Sequence, residues 1–477
     1  MKPEHRAIIA IDLGAESCRV SLLRWNGDLP EVTLAHRFPN GPVQHDNGLR
    51  WNLEAIWSGI NEGLRRAALL APEGIASIGV DGWAVDYVRL GPDGQPLALP
   101  FCYRDPRNAA AEAHALQKIS AERLYQLTGV QSLSLNTVYQ LCADNSSGTS
   151  PSAPWINLPE YILHRLGGRR VSEYTNATHT GLVDRETKNW CPEIFTALGL
   201  DLAAAPELVP SGTDLGRLSG PLTSLPAFHS TRLIAPACHD TASAIAGIPA
   251  GDGNWAYISS GTWSLVGAVL PRACAGDIAR ERGFTNLGAA GGGVCFHVNV
   301  NGMWLLSQCM KRWREQGASL DLDSLVAAGE KLPSPGALLE VDDLDLLLPG
   351  DMPHRINLQR QRLGAAALPE SPTSAPAFAS LIFHSLAARY AEILSALPAI
   401  SGTHLNEVFI VGGGSRNQFL NRLTEEATGL PVSVGHVESS TIGNFAIQLA
   451  VLNQQNASTQ LTAEKIAYWA RVLSAMK

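Results

Sequence analysis

Residues 7–17 read AIIAIDLGAES, an apolar run that leads into a turn of mostly small residues. The β-branched side chains of the run predict a short buried strand that ends at Asp12. Residues 19–25 predict a second strand that leaves the turn, and residues 32–36 are consistent with a third. Because the glycine turn opens a strand and not a helix, the segment is neither a P-loop nor a dinucleotide-binding fingerprint.

The other half of the chain carries a similar pattern. Residues 254–270 run from an apolar segment through the small-residue turn Ser259–Thr262 into a second apolar segment. Residues 75–80 and 407–411 each predict a strand, and the second ends at three glycines from which a helix follows. We expect an α/β protein whose two lobes arose by duplication, each a mixed sheet with helices, with a nucleotide in the cleft between them. Two unrelated α/β domains that each contain a hairpin are the alternative.

The length of 477 residues also favours two domains. The glycine- and proline-containing segment 247–251 marks the expected boundary between an N-terminal lobe, 1–247, and a C-terminal lobe, 248–477. The chain from Thr462 onward predicts a closing helix.

Composition excludes several classes of partner. Lysine and arginine number 36 against 44 acidic residues, and no basic block is present, so nucleic acid is not expected as a partner. The eight cysteines form no Cys-x-x-Cys pair and predict free thiols in a reducing compartment. With no signal peptide and no apolar stretch long enough for a membrane helix, we expect a soluble, cytoplasmic protein, either a monomer or a homodimer.

Two aspartates stand where phosphoryl-transfer chemistry could use them. Asp12 ends a buried strand beside the glycine turn, where a carboxylate suits hydrated Mg²⁺ and neighbouring backbone N–H groups suit phosphate. Asp240 follows a short apolar strand at the start of a small-residue helix, where it could accept the proton of an attacking hydroxyl. The alternatives are an Asp12 that caps its turn and an Asp240 that is only a helix N-cap.

Two further segments are candidate ligand contacts. Residues 81–86 pair two acidic groups with Trp83, a combination that can hold a sugar, although a tryptophan is more often simply buried. The glycines 412–414 permit a nucleotide to approach the backbone closely, and a helix start free of side-chain clashes is the alternative.

Short motifs in order along nearly the whole chain resemble the FGGY carbohydrate kinases. The motifs that carry this resemblance are AIDLGA (10–15), GVD (79–81), SSGTWSL (259–265) and VGGGSRN (411–417). The motifs that resemble its rhamnulokinase branch are YRD (103–105), NTVYQL (136–141), EYTNAT (173–178), HDTASA (239–244), and Asn299 with WLL (304–306).

The resemblance implies an actin-like, ribonuclease-H-like two-lobed fold and transfer of the γ-phosphoryl group of Mg-ATP to a small ketose. The N-terminal lobe would bind mainly sugar and the C-terminal lobe mainly ATP. L-rhamnulose, phosphorylated on its 1-hydroxyl, is the first substrate implied. Kinases of L-fuculose, L-ribulose or L-xylulose are alternatives, and so is an actin-like or chaperone-like ATPase without sugar transfer.

The resemblance also assigns roles to residues. Asp240 would be the proton acceptor and Asp12 would orient the metal through water. The sugar contacts would be Ala84, His239, Asp240, Thr241 and Asn299. The ATP contacts would be Ala15, Glu16, Ser17, Cys18, Arg19, Thr262, Ser307 and Gly413.

Four positions depart from the rhamnulokinase pattern. Cys18 replaces a glycine in the phosphate turn, and Ser307 replaces a glutamine. Gly82 stands where threonine is expected and Ala84 where glycine is expected, both in the predicted sugar pocket. These departures leave the reaction type unchanged and leave the identity of the sugar open.

Overall fold

The computed structural model describes residues 4–45, 47–251, 254–454 and 461–475. The chain divides into two compact units, which are described separately. The first unit comprises Met1–Gly251, Leu270–Phe296 and Ser439–Lys477. The second unit comprises Asp252–Val269 and His297–Glu438.

The strands are short and are numbered in chain order. They are β1 (Ala7–Leu13), β2 (Ser17–Asn26), β3 (Leu29–Pro39), β4 (Pro42–His45), β5 (Gly48–Trp51), β6 (Ile75–Gly82), β7 (Tyr87–Arg89), β8 (Trp155–Asn157), β9 (Val171–Glu173), β10 (Val183–Asp184), β11 (Asn189–Trp190), β12 (Glu207–Val209), β13 (Thr213–Arg217), β14 (Arg232–Ala235), β15 (Trp255–Ser260), β16 (Trp263–Leu270), β17 (Phe284–Gly288), β18 (Val294–Asn301), β19 (Glu407–Val411) and β20 (Val432–Val434).

The α-helices are numbered in the same way. They are α1 (Leu53–Leu70), α2 (Arg107–Ala115), α3 (Ala121–Thr128), α4 (Thr137–Ser146), α5 (Leu158–Arg165), α6 (Tyr174–Thr178), α7 (Pro192–Leu198), α8 (Asp240–Ala246), α9 (Asp277–Glu281), α10 (Trp304–Glu315), α11 (Leu322–Glu330), α12 (Leu344–Leu347), α13 (Met352–Arg362), α14 (Ala375–Ser401), α15 (Gln418–Thr428), α16 (Ser439–Leu452) and α17 (Ala463–Ser474). Short 3₁₀ turns span Leu202–Ala204, Pro221–Ser224, Pro226–Phe228, Pro372–Ser374 and Gly413–Arg416.

The main sheet of the first unit confirms the meander predicted at the start of the chain. Its strand order is β13-β14-β6-β1-β2-β3. Strand β1 pairs antiparallel with β2, which pairs antiparallel with β3, whereas β1 and β6 are parallel. The sheet is therefore mixed, and every residue of β1 and β6 is buried.

The sheet of the second unit repeats this arrangement. Strand β15 pairs antiparallel with β16 and parallel with β19, as β1 does with β2 and β6. The order β18-β16-β15-β19-β20 places the glycine turn after β19 beside the end of β15. The repeated topology confirms the prediction of a two-domain α/β fold with duplicated mixed sheets.

Helices cover the first sheet on both faces because each presents an apolar stripe. Helix α1, capped by the Asn52 side chain, buries Leu53, Ile56, Ile60 and Leu64 at helical spacing. On the other face, α16 contributes apolar residues to a separate core cluster with α17. Helix α17 follows its cap Thr462, which confirms the predicted closing helix. No helix within the described ranges is long and apolar enough to cross a membrane.

Helices α8 and α16 approach each other so closely that only glycine fits at their crossing. A β-carbon at Gly443 would overlap the Ser243 carbonyl oxygen, and one at Gly247 would lie 2.5 Å from the Ser439 carbonyl oxygen. The Ser439 hydroxyl also donates to the Ala244 carbonyl at 2.8 Å. These contacts fix α8, and with it Asp240, against α16.

We predict that Gly443→Ala lowers the free energy of unfolding by about 1–3 kcal/mol, because the added methyl group forces the two helices apart. Urea unfolding followed by circular dichroism measures the change. Gly41→Ala is the matched control, since a β-carbon there meets no atom within 4 Å, and it should change stability by about 0.5 kcal/mol or less. Equal stability of the two variants would show that the crossing tolerates a side chain.

Candidate active site

Strand register places Asp12 at the centre of the first unit's site. Asp12 lies opposite Asp81 on the parallel strand β6 and opposite Arg19 on β2. It is buried, its Oδ2 lies 3.7 Å from an Arg19 guanidinium nitrogen, and it accepts a 2.9 Å hydrogen bond from the Ser440 hydroxyl. Burial raises the pKa of Asp12, and the Arg19 charge opposes that rise.

Asp81 is a second buried carboxylate in the same place. Its Oδ2 accepts a 2.5 Å hydrogen bond from the Asn444 amide, whereas its Oδ1 has no hydrogen-bond partner in the described part of the chain. Burial, followed by the Asp12 charge, raises the pKa of Asp81 well above its usual value. An unpartnered buried oxygen is costly, so this carboxyl suits a protonated state or a site where a ligand or water completes its contacts.

Asp240 is the first residue of α8, and its neighbour His239 is the N-cap. The segment before it is held to β6, since Gly82 N–H donates to the Cys238 carbonyl at 3.0 Å. The Asp240 side chain keeps 34% of its surface exposed, so it reaches solvent and is not part of the core. Burial by the surrounding protein, followed by the Asp12 charge, nevertheless raises the pKa of Asp240 to about 7.

The neighbours of Asp240 orient its carboxylate. The Thr241 hydroxyl donates to Asp240 Oδ1 at 3.1 Å, and His239 Nε2 lies 3.4 Å from the same oxygen. His239 Nδ1 is 3.0 Å from His179 Nε2, so the second imidazole fixes the ring of the first. Glu173 accepts the Cys238 backbone N–H at 2.9 Å and so anchors the same segment from below.

The phosphate turn predicted at residues 15–19 is the hairpin between β1 and β2. Gly14 is required there, because a β-carbon would overlap the Ser17 carbonyl oxygen. The Ser17 hydroxyl accepts hydrogen bonds from the Arg37 guanidinium at 3.1 and 3.3 Å. Cys18 points into the core, and burial raises the pKa of its thiol to about 12, so its side chain is not presented to a phosphate. The cysteine in place of glycine therefore adds no side chain to the turn.

Ala84 lies in front of a buried aromatic and acidic cluster. Asp86 accepts hydrogen bonds from the indoles of Trp51 at 2.5 Å and Trp83 at 2.9 Å, and the two indole rings are 4.4 Å apart. The Trp83 side chain is therefore buried and makes its contacts within the protein, which was the alternative interpretation of this motif. Val85 has a φ of 71°, which is strained for a β-branched residue and marks this loop as constrained.

Gly82 has a steric reason to replace the expected threonine. A β-carbon at Gly82 would lie 2.7 Å from the Leu13 β-carbon and 2.9 Å from the Leu13 carbonyl oxygen. Ala84, in contrast, is buried with its methyl group accommodated. Of the two departures in the predicted sugar pocket, Gly82 is explained by packing against β1.

In the second unit, backbone hydrogen bonds bring three of the predicted ATP contacts to the end of β15. The Thr262 carbonyl accepts the N–H groups of Gly302 and Trp304, which ties the turn to the start of α10, where Ser307 is exposed. Gly412, with a φ of 84°, packs against the Ser260 carbonyl. Gly413 follows it with open space where a side chain would be. Asn299, half-buried on β18, lies two strands away from β15.

The carboxylates of the first unit fit a hydrated metal better than a directly ligated one. Within the described ranges, no group of three or more His, Cys, Asp or Glu side chains is arranged to hold a metal ion. A cation at Asp12 would therefore take most of its ligands from water and phosphate, which is the usual coordination of Mg²⁺.

Sequence and structure comparisons agree with this geometry. The models "FGGY family of carbohydrate kinases, N-terminal domain" and "FGGY family of carbohydrate kinases, C-terminal domain" match residues 7–247 and 256–452. The chain belongs to the FGGY family of carbohydrate kinases. It is 36% identical over 453 residues to a rhamnulokinase from Pectobacterium carotovorum subsp. carotovorum (strain PC1), an alignment that covers 93% of this chain and 88% of that protein.

Solved structures of FGGY-type sugar kinases share the fold. Gluconate kinase from Lactobacillus acidophilus superposes with a TM-score of 0.75 at 16% identity, covering 98% of this chain and 96% of that one. Plasmodium falciparum glycerol kinase, solved with ADP, also gives a TM-score of 0.75 at 13% identity, with coverages of 98% and 92%.

Several residues of the site were missed by the sequence analysis. Ser440, Asn444 and Gln448 form a polar stripe on α16, at i, i+4 and i+8, that contacts β1 and β6. Their spacing is visible in the sequence, but their partners lie more than 360 residues away. Arg37 could have been predicted from the sequence as part of the site, because the pairing of β2 with β3 places it opposite Arg19.

We predict that Asp12→Asn lowers the pKa of Asp240 from about 7, because the Asp12 charge is the second cause of its elevation after burial. The pKa should stay above that of an exposed aspartate, since burial remains. Titration of ¹³C-labelled aspartate carboxyls by NMR measures it. Asp214→Asn, in an exposed pair with Arg232, is the control and should leave the Asp240 titration unchanged. An unchanged Asp240 pKa in Asp12→Asn would show that the two carboxylates do not interact.

Proposed function

We propose that this FGGY-family carbohydrate kinase uses ATP and Mg²⁺ to phosphorylate L-rhamnulose, giving L-rhamnulose 1-phosphate in L-rhamnose catabolism. The observation that carries the proposal is Asp240, a half-exposed carboxylate with a pKa of about 7 at the start of α8. The rhamnulokinase of Pectobacterium, similar over nearly the whole chain, supports this choice of sugar.

The proposed step is a single in-line displacement. The sugar hydroxyl forms a bond to the γ-phosphorus while the bond from that phosphorus to the β,γ-bridging oxygen breaks and ADP leaves. The hydroxyl proton passes to the ionised Asp240, which is a stronger base than an ordinary aspartate because its pKa is raised. Thr241 and His239 hold the carboxylate and, with Ala84 and Asn299, would contact the sugar.

ATP would be bound mainly through backbone groups and small side chains. In the first unit, the hairpin residues 15–19 would offer N–H groups to phosphate oxygens, with Arg19 and Arg37 supplying positive charge. In the second unit, Thr262, Ser307 and Gly413 would contact the nucleotide. Mg²⁺ neutralises charge on the transferring phosphate, and Asp12 would orient one of its water ligands.

A kinase of another ketose is the second candidate, and Ala84 is the observation that favours it. The methyl group of Ala84 sits where the rhamnulokinase pattern has glycine, and one methyl in a pocket changes discrimination by about 1–3 kcal/mol. An actin-like ATPase is not favoured, because such a protein would not need a base positioned like Asp240.

We also propose that the enzyme works in the cytoplasm. Within the described residues no disulfide bond joins any of the eight cysteines, and seven of them are buried, which is the state expected in a reducing compartment.

We predict that kcat/KM falls about tenfold per pH unit below pH 7, because protonated Asp240 cannot accept the hydroxyl proton. Asp240→Asn should lower kcat by about 10²–10⁴-fold.

The thermal midpoint of Asp240→Asn at pH 8 should exceed that of the parent protein. The folded-state pKa is raised, so the stability that Asp240 contributes at low pH is lost as pH rises through about 7.

Coupled ADP release and thermal unfolding provide the two measurements for this prediction. Asp277→Asn, whose side chain is 75% exposed, is the control and should resemble the parent protein in both. Sugar-stimulated turnover that survives in Asp240→Asn would remove Asp240 from the base role.

A panel of ketoses tests the choice of sugar. We expect the highest kcat/KM with L-rhamnulose among L-rhamnulose, L-fuculose, L-ribulose and L-xylulose. Ala84→Gly should change the ratio of kcat/KM between the best and second-best ketose by about 10–200-fold, with Ala68→Gly on the outer part of α1 as the control. A higher kcat/KM on another ketose would replace L-rhamnulose, and ATP turnover indifferent to every sugar would remove the kinase proposal.

A further inference from the structure

The first unit contains a cavity of about 450 Å³ that the proposed reaction does not use. Its volume lies within the range of small-molecule sites. Among the described residues, the charged side chains in its wall are three arginines, Arg50, Arg89 and Arg107, and one carboxylate, Asp144. The wall therefore carries two more positive than negative charges.

The oxygens of the one carboxylate, Asp144, already accept hydrogen bonds from neighbouring side chains. Asp144 Oδ2 accepts the Tyr87 hydroxyl at 2.6 Å and Arg89 Nε at 3.0 Å, and its Oδ1 accepts an Arg107 nitrogen at 2.7 Å. Burial raises the pKa of Tyr87 well above its usual value, so the phenol stays neutral and adds no negative charge. Asp144 thus pairs directly with Arg89 and Arg107, whereas Arg50 feels the charges of Asp144 and Asp105 only at a distance.

Arg50 is a buried cation with only neutral partners. The residue is 7% exposed, and among the described residues no carboxylate lies within ion-pair distance of its guanidinium. Its terminal nitrogens donate to the Leu99 carbonyl and, at 2.9 Å, to Asn47 Oδ1, while its Nε has no partner. A buried charge without a counter-ion is unfavourable, and proteins usually pair it or bind a ligand to it.

Two of the arginines stack on Phe101, one on each face of its ring. The guanidinium carbon of Arg50 lies 3.5 Å from the centre of the Phe101 ring, and that of Arg107 lies 3.4 Å from it. Stacking on the ring fixes both planar guanidinium groups in position. Burial, followed by the Arg107 charge, lowers the pKa of Arg50, and the charges of Asp144 and Asp105 act in the opposite direction.

We propose that this cavity binds the phosphate group of a small molecule, with Arg50 and Arg107 as its principal contacts. A phosphate dianion matches the excess of two positive charges, and guanidinium groups bind phosphate through paired N–H donors. Inorganic phosphate and a sugar phosphate share this group, and the cavity has room for either.

Isothermal titration calorimetry on the full chain without nucleotide tests the proposal, at constant ionic strength set with chloride. One arm uses inorganic phosphate and the other a ketose 1-phosphate. We expect saturable binding in at least one arm and at least a tenfold weaker affinity in Arg50→Gln. Arg66→Gln, which removes an exposed arginine paired with Glu62, is the control and should bind like the parent protein.

Thermal unfolding separates a binding role of Arg50 from a structural one. Without phosphate, Arg50→Gln should unfold at the same temperature as the parent protein or higher, because an uncompensated buried charge has been removed. Saturating phosphate should raise the midpoint of the parent protein and of Arg66→Gln but not that of Arg50→Gln. Unchanged phosphate affinity in Arg50→Gln would overturn the proposal, because the phosphate would then be bound elsewhere, for example at the hairpin of residues 15–19.

Arg50→Lys covers the case in which Arg50→Gln does not fold. It keeps the charge but loses the planar fork, so we expect weaker phosphate binding with stability retained. Phosphate affinity equal to that of the parent protein in Arg50→Lys, or no binding in either arm by the parent protein, would also overturn the proposal.

Discussion

The first unit depends on one face of α16, whose polar side chains donate hydrogen bonds to buried carboxylates. Asp12 and Asp81 sit side by side on adjacent parallel strands, where two desolvated negative charges would oppose folding. Helix α16 supplies Ser440 and Asn444 as donors to them, and Gln448 extends the stripe to the Ile9 carbonyl and the Ser77 hydroxyl. An apolar helix in this position would leave the acidic strand ends without hydrogen-bond donors, so the polar stripe is what permits two carboxylates to lie inside a packed sheet.

The same helix sets the position of Asp240. Gly443 and Gly247 let α8 close onto α16, which brings Asp240 within electrostatic reach of Asp12. The proximity makes Asp240 a better base, and it also makes the ionised form less favourable in the folded protein. The raised pKa therefore makes Asp240 more basic and makes the folded protein less stable when Asp240 is ionised. Such a trade-off between stability and activity is common at functional sites.

Local sequence was enough to predict the meander, the duplicated topology and the positions of both aspartates at strand and helix ends. What it could not predict depends on contacts across hundreds of residues. The donors on α16 and the imidazole of His179 have no neighbours in sequence that reveal their partners. The sequence also does not reveal that the Cys18 side chain points into the core, because that direction depends on the pleat of β2.

The residues proposed for the phosphoryl transfer and the residue proposed to select the sugar lie on different kinds of structural element. Asp12 and Asp81 are fixed by strand register, and Asp240 is fixed by a helix crossing that admits only glycine. Ala84 lies instead on a loop whose strained Val85 is held by hydrogen bonds from Thr137 and Gln140 to its carbonyl. Under the proposed function, a single methyl group on that loop would alter the sugar pocket without disturbing the sheet, so a relative at 36% identity supports a carbohydrate kinase more firmly than it supports one sugar.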